Sequence, residues 1–290
     1  MSNRNTNVEL TTEAQLLQNP CYGQLLFGYS KFSQMILLRL GNKQRIAKDI
    51  QVYFPQHKIY CEPFFGAGGM FFNKPKARHN IVNDIDSEVF NLYQVVLSQK
   101  EELMELYKIT PYHSDLVKHW AKNQEEEPLT KAMRFLMLSN FVLNGRGYTL
   151  SYGAAACGRR TTEDFKILLD KTFDLISGVQ FMNVDFRKFF SNFQIRETEE
   201  QHFIYCDPPY LGTGDNYSNS FTETDSKDLF NLLQETKCKW AMSEFDHPFI
   251  LQEAKERNLN VIIVGERQNL KNRRTEILIT NYEKQKGLFD

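Results

Sequence analysis

A short run of residues, Asp207-Pro208-Pro209-Tyr210, places a carboxylate, two prolines and an aromatic ring directly after the apolar residues 203–206. The prolines fix φ and lack N–H donors, so the turn offers acceptors with no competing proline donors. If the Asp207 carboxylate and the Pro208 carbonyl each accept one hydrogen of an adenine N6 amine, the nitrogen lone pair can point at an electrophilic methyl group. Tyr210 supplies a ring on which an extruded base can stack. The run predicts methyl transfer to an amine, and the simpler alternative is a proline-stiffened turn with a helix-capping Asp.

A glycine-rich run at residues 62–69, EPFFGAGG, follows another short apolar stretch. Gly66 and Gly68 match the first two glycines of the dinucleotide fingerprint, but Phe71 stands at the third position, which disfavours NAD. Asp84 ends the next apolar stretch, 16 residues beyond Gly68, where a carboxylate can accept both hydroxyls of a ribose. A ligand with a ribose and no pyrophosphate fits this pattern, and S-adenosylmethionine is the common one. The alternative is that the glycines only form a strand-to-helix turn.

Strands and helices must bring these two runs together. Apolar stretches bounded by turn residues predict seven strands, and apolar spacing of three and four residues predicts the helices between them. The predicted strands are at 59–61, 79–84, 179–184, 203–206, 240–243, 261–264 and 277–280, and the predicted helices are at 42–54, 89–97, 226–235 and 248–257. This alternation implies an α/β protein with a parallel sheet that has helices on both faces. The last two strands, joined by a loop, imply a terminal antiparallel hairpin.

Composition excludes several classes of protein. The chain has 290 residues, of which 41% are hydrophobic and 24% charged, as in ordinary soluble domains and unlike disordered or collagen-like chains. No apolar run approaches the roughly 18 residues of a membrane span, and the first twenty residues lack the features of a secretory signal. We therefore expect a cytoplasmic protein with no membrane association. The 5 cysteines have no C-x-x-C spacing and the 6 histidines lack metal-ligand spacing, which predicts neither a disulfide framework nor a metal site.

Taken in chain order, these motifs resemble those of the D12-class, Dam-like N6-adenine DNA methyltransferases of bacteria and their phages. The matching segments are 38–43 (its lysine motif), 62–68 (cofactor loop), 83–84 (ribose acid), 184–186 (adenine-ring segment), 207–210 (catalytic motif) and 275–282 (closing strand). The resemblance implies a Rossmann-like seven-stranded methyltransferase sheet, S-adenosylmethionine as methyl donor, and methylation of a flipped-out adenine in a short sequence of duplex DNA. The lysine motif usually reads W-A-G-G-K, whereas here Arg39 replaces the tryptophan and Lys43 is kept.

The resemblance also assigns roles to residues. It implies catalysis by Asp207, Pro208, Pro209 and Tyr210, and cofactor contacts by Arg39, Lys43, Glu62, Phe64, Gly66, Gly68, Asp84, Asp185, Phe186 and Asp207. A cognate restriction endonuclease is a compatible partner, and an orphan or phage enzyme is the other setting. Nothing in the sequence predicts an oligomeric state.

Residues 100–178 differ in character from their surroundings, because polar helical segments there lead into a stretch rich in Gly and Arg. We interpret them as a mainly helical target-recognition insert between two parts of a catalytic domain, 1–99 and 179–290. The chain carries a net charge of −1, yet residues 128–162 contain 5 basic residues and no acid. Arginine can contact phosphates or guanine there, although a solvated surface charge is the alternative for any single residue. With a second basic cluster before the last strand, the predicted DNA contacts are Lys131, Arg134, Arg146, Tyr148, Arg159, Arg160, Arg267, Lys271, Arg273 and Arg274.

Two other functions compete with DNA methylation. An RNA exocyclic-amine methyltransferase is the runner-up, because acid-Pro-Pro-aromatic turns occur there too. A DNA-binding module or partner subunit without catalysis is the third, and the intact Asp207-Pro-Pro-Tyr210 turn argues against it.

Overall fold

A computed structural model of the protein describes residues 35–39, 42–141, 161–192, 201–212, 221–268 and 273–283. Within these ranges seven strands form a single sheet. The strands are β1 (Ile59–Glu62), β2 (His79–Asn83), β3 (Gln180–Met182), β4 (His202–Cys206), β5 (Lys239–Phe245), β6 (Asn260–Gln268) and β7 (Arg273–Thr280). All seven overlap the strands predicted from the sequence.

The sheet has the order β3-β2-β1-β4-β5-β7-β6. Strands β1 to β5 pair in parallel, whereas β7 runs antiparallel to both β5 and β6. The chain winds from β1 toward β3 on one side and from β4 toward β6 on the other, so the direction of winding reverses between β1 and β4. The predicted α/β fold with a Rossmann-like sheet and a terminal hairpin is confirmed.

Helices cover both faces of the sheet. They are α1 (Ala47–Gln51), α2 (Ser87–Ser98), α3 (Lys100–Ile109), α4 (Ser114–Lys122), α5 (Pro128–Phe141), α6 (Thr162–Ile176), α7 (Phe186–Ser191), α8 (Glu223–Glu235) and α9 (Pro248–Glu256). Successive side chains of a strand point to opposite faces, so Tyr205 belongs to one hydrophobic cluster and Ile204 and Cys206 to the other. Both β1 and β4 are buried along their whole length, as expected of central parallel strands.

The segment predicted as an insert contributes helices to the first of these clusters. Leu103 of α3, Trp120 of α4, Leu136 of α5 and Phe165 of α6 share that cluster with Tyr205 of the sheet. Helices α3 to α6 therefore complete one face of the catalytic core, whatever further role the segment has. No helix in the described parts of the chain is long and apolar enough to cross a membrane.

The single helix predicted at 42–54 is wrong in one respect, because the structure divides it. A 3₁₀ turn at Lys43–Arg45 precedes α1, and Ile46 between them has φ −111° and ψ 5°, outside the helical region. Asn42 begins the turn, and its side chain accepts the N–H of Gln44. This break places Lys43, which is only 3% exposed, inside the protein.

Candidate active site

A cavity of about 300 Å³ lies at the carboxyl ends of β1 and β4. Ligands of open α/β sheets bind at this position, where the winding reverses. Of the ten residues predicted to contact the cofactor, nine line the cavity: Arg39, Lys43, Glu62, Phe64, Gly66, Asp84, Asp185, Phe186 and Asp207. The tertiary structure thus brings together residues that are 168 positions apart in the chain, since the first is Arg39 and the last Asp207.

Gly68, the tenth residue, is not part of the lining. It has φ +75°, and a Cβ there would collide with the rings of Phe65 and Phe72, so its role is to allow the turn. Gly69 lines the cavity in its place. A Cβ on Gly69 would collide with the Asn42 side chain, so this glycine lets the segment that carries Lys43 approach the loop closely.

Two polar residues at the end of β2 fix the shape of the cavity. The Asn83 side chain donates to the carbonyls of Pro63 and Val184, both at 3.0 Å, and so ties together the chain ends that follow β1 and β3. Asp84 accepts the N–H of Gly66 at 2.6 Å and that of Asp86 at 2.9 Å. Burial raises the pKa of Asp84, and these two backbone donors oppose the increase. Each carboxylate oxygen has a second lone pair, so Asp84 can accept further hydrogen bonds from a ligand.

Aromatic rings form one end of the cavity. Phe64 lies 5.6 Å from Phe186 and 5.9 Å from Phe221 between ring centroids. Asp185 caps α7 by accepting the N–H of Arg187, and this cap fixes the start of the helix that carries Phe186. A flat apolar heterocycle fits such a wall, because offset and edge-to-face contacts with aromatic rings are favourable.

Charged residues form the other end, and Lys43 is at their centre. Its ammonium lies 3.0 Å from Oδ1 of Asp207 and 3.1 Å from Oε1 of Glu276. Glu276 is on β7 and is 2% exposed, whereas the Asp207 side chain remains 19% exposed. Burial raises the pKa of the Asp207 carboxyl, the ammonium of Lys43 opposes that increase, and the charge of Glu276 adds to it.

Tyr210 is packed into the same cluster. The Lys43 ammonium lies 4.3 Å from the centroid of its ring, and its hydroxyl donates to Glu276 at 3.0 Å. The ring also meets that of Phe245 at 4.6 Å and is 9% exposed. These contacts cover the ring that the sequence predicts to stack on a base, so we assign Tyr210 a part in holding the cluster and propose no stacking.

Two further acids are buried close to residues 207–210, which the sequence predicts to be catalytic and which we call the catalytic turn. Glu244, at 1% exposure on β5, accepts the N–H of Leu211 at 2.9 Å and so anchors the end of the turn. Burial raises the pKa of Glu244 to about 8. Glu62, at 2% exposure, accepts the hydroxyl of Tyr60 at 2.7 Å, and burial raises its pKa. Glu62 lines the cavity, whereas Glu244 does not.

Arg39 occupies the position where the resembling family has tryptophan. It forms an ion pair of 2.9 Å with Asp86, and its guanidinium lies 5.6 Å from the centroid of the Phe135 ring. Arg39 therefore closes the cavity near Asp84 by charge and by contact with an aromatic ring.

The predicted DNA contacts are distributed unevenly. Five of them lie outside the described residues: Arg146, Tyr148, Arg159, Arg160 and Lys271. Lys131 is on α5, Arg267 is on β6, and Arg273 is on β7. Arg274 of β7 donates to the carbonyl of Gly212 at 3.1 Å, so the hairpin touches the chain just after the catalytic turn.

Arg134 is used inside the protein. Its Nε donates to the carbonyls of Trp120 and Asn123, both at 2.8 Å, and its Nη1 lies 3.5 Å from Glu88. The side chain is 12% exposed. These contacts join α4 to α5 and α2, so we remove Arg134 from the predicted DNA surface.

Glu276, Glu244, Asn83 and Phe221 were not among the predicted site residues. Glu276 had a signal in the sequence, because it is an acid in the apolar segment 275–280, TEILIT. A buried charged residue requires a partner, and the partner's identity depends on the fold.

Comparisons with known proteins agree with this geometry. A family model described as D12 class N6 adenine-specific DNA methyltransferase matches residues 40–277. The DNA adenine methylase of Vibrio cholerae is 24% identical over 244 residues, which cover 77% of this chain and 78% of that protein. The Type II methyltransferase M1.LlaDCHI of Lactococcus lactis subsp. cremoris is 24% identical over 278 residues, covering 83% of this chain and 93% of the relative. Among solved structures, an rRNA methyltransferase, aviRa from Streptomyces viridochromogenes, aligns with a TM-score of 0.36 and 10% identity over 81% of this chain and 82% of its own, a likeness too low to support any argument.

Proposed function

Because this chain belongs to the D12 class of N6 adenine-specific DNA methyltransferases, we propose that its cavity binds S-adenosylmethionine and that the turn from Asp207 to Tyr210 receives the target adenine. The observation that carries the proposal is the Lys43–Asp207 pair, which sets a partly exposed carboxylate in the wall of the cavity. An acceptor for the amine and the site for the methyl donor then adjoin each other.

The residues of the cavity fit the proposed cofactor from one end to the other. The rings of Phe64, Phe186 and Phe221 suit an adenine, and Asp84 suits the ribose hydroxyls. The carboxyls of Glu62 and Asp207 suit the positively charged end of the molecule. When bound, S-adenosylmethionine supplies a methyl group on a cationic sulfur, which is already activated for transfer.

The chain's own contribution to the reaction is to position the amine. The Asp207 carboxylate accepts one N6 hydrogen and, in our proposal, the Pro208 carbonyl accepts the other. The nitrogen lone pair would then be directed at the methyl group, so that an N–C bond could form as the S–C bond breaks and leaves its electron pair on the sulfur. The Asp207 carboxylate would accept the proton that the methylated nitrogen gives up. No covalent bond to the enzyme is needed. Glu244 holds the far end of the turn through Leu211, which keeps the acceptors in place.

Transfer of labelled methyl groups tests this function directly. With labelled S-adenosylmethionine, we expect label in N6-methyladenine of duplex DNA and none in structured RNA. Label confined to RNA would support the runner-up function instead. Single-molecule sequencing of DNA from cells that express the protein would then give the methylated sequence context. The relatives include proteins named as DNA adenine methylases and as a Type II methyltransferase, which supports either an orphan enzyme or one paired with a restriction endonuclease.

Asp84→Asn tests the proposed ribose site. The substitution removes the charge and keeps one acceptor oxygen, so one of the two backbone N–H groups that Asp84 binds, of Gly66 or Asp86, loses its acceptor. Since a hydrogen bond to a charged group contributes about 1.5–3 kcal/mol, the dissociation constant for S-adenosylmethionine is expected to rise by roughly 10- to 150-fold. Calorimetric titration measures this dissociation constant, and Asp174→Asn on the exposed side of α6 is the matched control. Equal affinities of Asp84→Asn and wild type would show that Asp84 does not hold the cofactor.

We propose that DNA contacts the basic residues around the catalytic edge. The proposal rests on the positive charge of residues 128–162 and on Arg274, which lies beside the chain that follows the catalytic turn. Lys131 of α5 and Arg274 of β7 are members of this proposed surface, and Arg267 on β6 and Arg273 on β7 are further proposed members. The segment 100–178 contributes target recognition in this proposal.

Arg159→Ala combined with Arg160→Ala is expected to weaken DNA binding and flatten its salt dependence. If both arginines neutralise phosphates, the slope of log K against log[salt] should fall in magnitude by about 2. Fluorescence anisotropy with a labelled duplex over a salt series measures the slope. Lys58→Ala with Lys255→Ala removes the same charge from exposed positions close to the opposite, amino-terminal edge of the strands. An unchanged slope for the arginine pair would mean that these charges do not meet phosphate.

A further inference from the structure

Glu276 lies behind the catalytic turn and, in our proposal, touches neither the adenine nor the cofactor. It is 2% exposed on β7 and is absent from the lining of the cavity. Its Oε1 nevertheless accepts from the Lys43 ammonium at 3.1 Å and from the Tyr210 hydroxyl at 3.0 Å. The residue therefore acts on the catalytic carboxylate through its contacts with Lys43 and Tyr210 and through its charge.

Lys43 is shared almost equally between two carboxylates. The ammonium is 3.0 Å from Asp207 and 3.1 Å from Glu276, and it is itself 3% exposed. Charges interact more strongly in such a buried site than in water. A lysine paired with Asp207 alone would concentrate its charge on that carboxylate and weaken it as an acceptor for an amine hydrogen.

We propose that Glu276 is a positioning residue for methyl transfer: by sharing the Lys43 ammonium, it leaves Asp207 in place and still a strong acceptor for the N6 hydrogen. This inference rests on the proposed role of Asp207 at the target amine. In this inference Lys43 holds Asp207 in position, and Glu276 limits how far Lys43 neutralises the Asp207 carboxylate.

Several other groups face Asp207 and must be considered with Glu276. Burial and the charge of Glu276 raise the pKa of Asp207, and Lys43 lowers it. The titratable or charged groups that surround Asp207 are Lys43, Glu62 of β1, Tyr205 and Cys206 of β4, Tyr210 of the turn, Glu244 of β5 and Glu276 of β7. Of the carboxyl groups among them, Glu276 is the one that shares an ion pair with Lys43.

Glu276→Gln tests the inference, because it keeps the shape and one acceptor oxygen and removes the charge. With that charge gone, the pKa of Asp207 falls, so the acidic limb of the rate profile is expected to move to lower pH by about one unit. On the plateau, transfer should be roughly tenfold slower, since Asp207 becomes a weaker acceptor. Single-turnover methylation of unmethylated duplex DNA, with the enzyme saturated with labelled S-adenosylmethionine, measures the position of the acidic limb and the plateau rate between pH 5 and pH 9. A purely structural role for Glu276 would lower the rate and leave the acidic limb where it is.

Tyr210→Phe should move the same limb in the opposite direction. Without the hydroxyl, Glu276 loses a hydrogen-bond donor and draws Lys43 more strongly, and Asp207 loses the hydrogen bond by which Tyr210 lowers its pKa. Both changes raise the pKa of Asp207, so the limb shifts to higher pH. If Glu276→Gln fails to fold, Glu276→Met, which also removes the charge, should give the same shift to lower pH. Glu253→Gln is the matched control, because Glu253 is also a buried acid, paired with Arg257 at 2.7 Å on α9.

A shift to lower pH in Glu276→Gln, or in Glu276→Met if the first variant does not fold, together with the opposite shift in Tyr210→Phe supports the inference. Unchanged limbs, or shifts in the same direction, overturn it. Failure of the underlying function is a separate result: full activity of a protein lacking the Asp207 carboxylate would refute the role of Asp207 itself, independently of either pH profile.

Discussion

Asp207→Ala is expected to abolish methylation, with a loss of single-turnover rate on the order of 10³-fold or more, because it removes an acceptor that orients the amine in the transition state. Folding should be retained. Lys43 keeps its ion pair with Glu276 at 3.1 Å, so the substitution leaves no buried cation without a partner. Cofactor binding should be at least partly kept, since the aromatic wall, Asp84 and Glu62 still line the cavity.

Measurements of binding separate this result from a general loss of structure. Calorimetry with S-adenosylmethionine and anisotropy with duplex DNA should both show that binding is at least partly retained. Asp207→Asn is the isosteric companion: its amide oxygen can still accept, so it should retain more activity than the alanine variant. Turnover near the wild-type level in Asp207→Ala would refute the proposed role of this residue.

Lys43→Met is expected to have the largest effect on stability. Methionine has a similar length and no charge, and it leaves the Asp207 and Glu276 carboxylates facing each other with no cation between them. Breaking a buried ion pair from one side costs about 3–5 kcal/mol in the free energy of unfolding. Activity should also be lost, since nothing then holds Asp207 in position.

The loss of stability in Lys43→Met should depend on pH in a defined direction. Without the ammonium, nothing opposes the burial that raises the pKa of Asp207, so this pKa lies further above its unfolded value of about 4. The folded state then binds more protons than the unfolded state between the two values, so the deficit is greatest above the raised pKa and shrinks as the pH falls toward 4. Chemical denaturation at pH 8 and pH 5 measures the difference.

Two variants serve as controls for Lys43→Met. Adding Glu276→Gln to it should recover part of the lost stability, because one of the two facing charges disappears. Lys100→Met removes a more exposed ion pair, that of Lys100 with Asp170 at 2.8 Å, and should cost no more than about 1 kcal/mol. A Lys43 variant as stable as the Lys100 variant would contradict the account of a buried charge cluster.

The sequence by itself determined the chemistry and the elements that surround it. Asp207 and Gly66 each follow a short apolar run, and both runs are strands in the structure. Nine of the ten predicted cofactor contacts line a single cavity, because strand ends that follow one another in a parallel sheet lie at one edge. Local periodicity and turn residues carry this information, since they depend on neighbours within a few positions.

The sequence was less informative about residues whose role depends on how the elements pack together. The helix predicted at 42–54 breaks at Ile46, and Lys43 is buried in the separate 3₁₀ turn before the break. Arg134 has the composition of a surface charge, yet it joins helices through the carbonyls of Trp120 and Asn123. Gly68 fits a cofactor motif and instead serves the geometry of the turn.

Only the tertiary structure decided which residues contact one another in the charged cluster. The cluster needs β7 to lie next to β5, between β5 and β6, where Glu276 pairs with Phe245 and reaches Lys43. Lys43 and Glu276 are separated by 233 positions, and neither has a local pattern that specifies the other. The physical reason is that the type of a side chain shows only that a buried charge requires a partner. The order of strands in the sheet decides which residue is that partner.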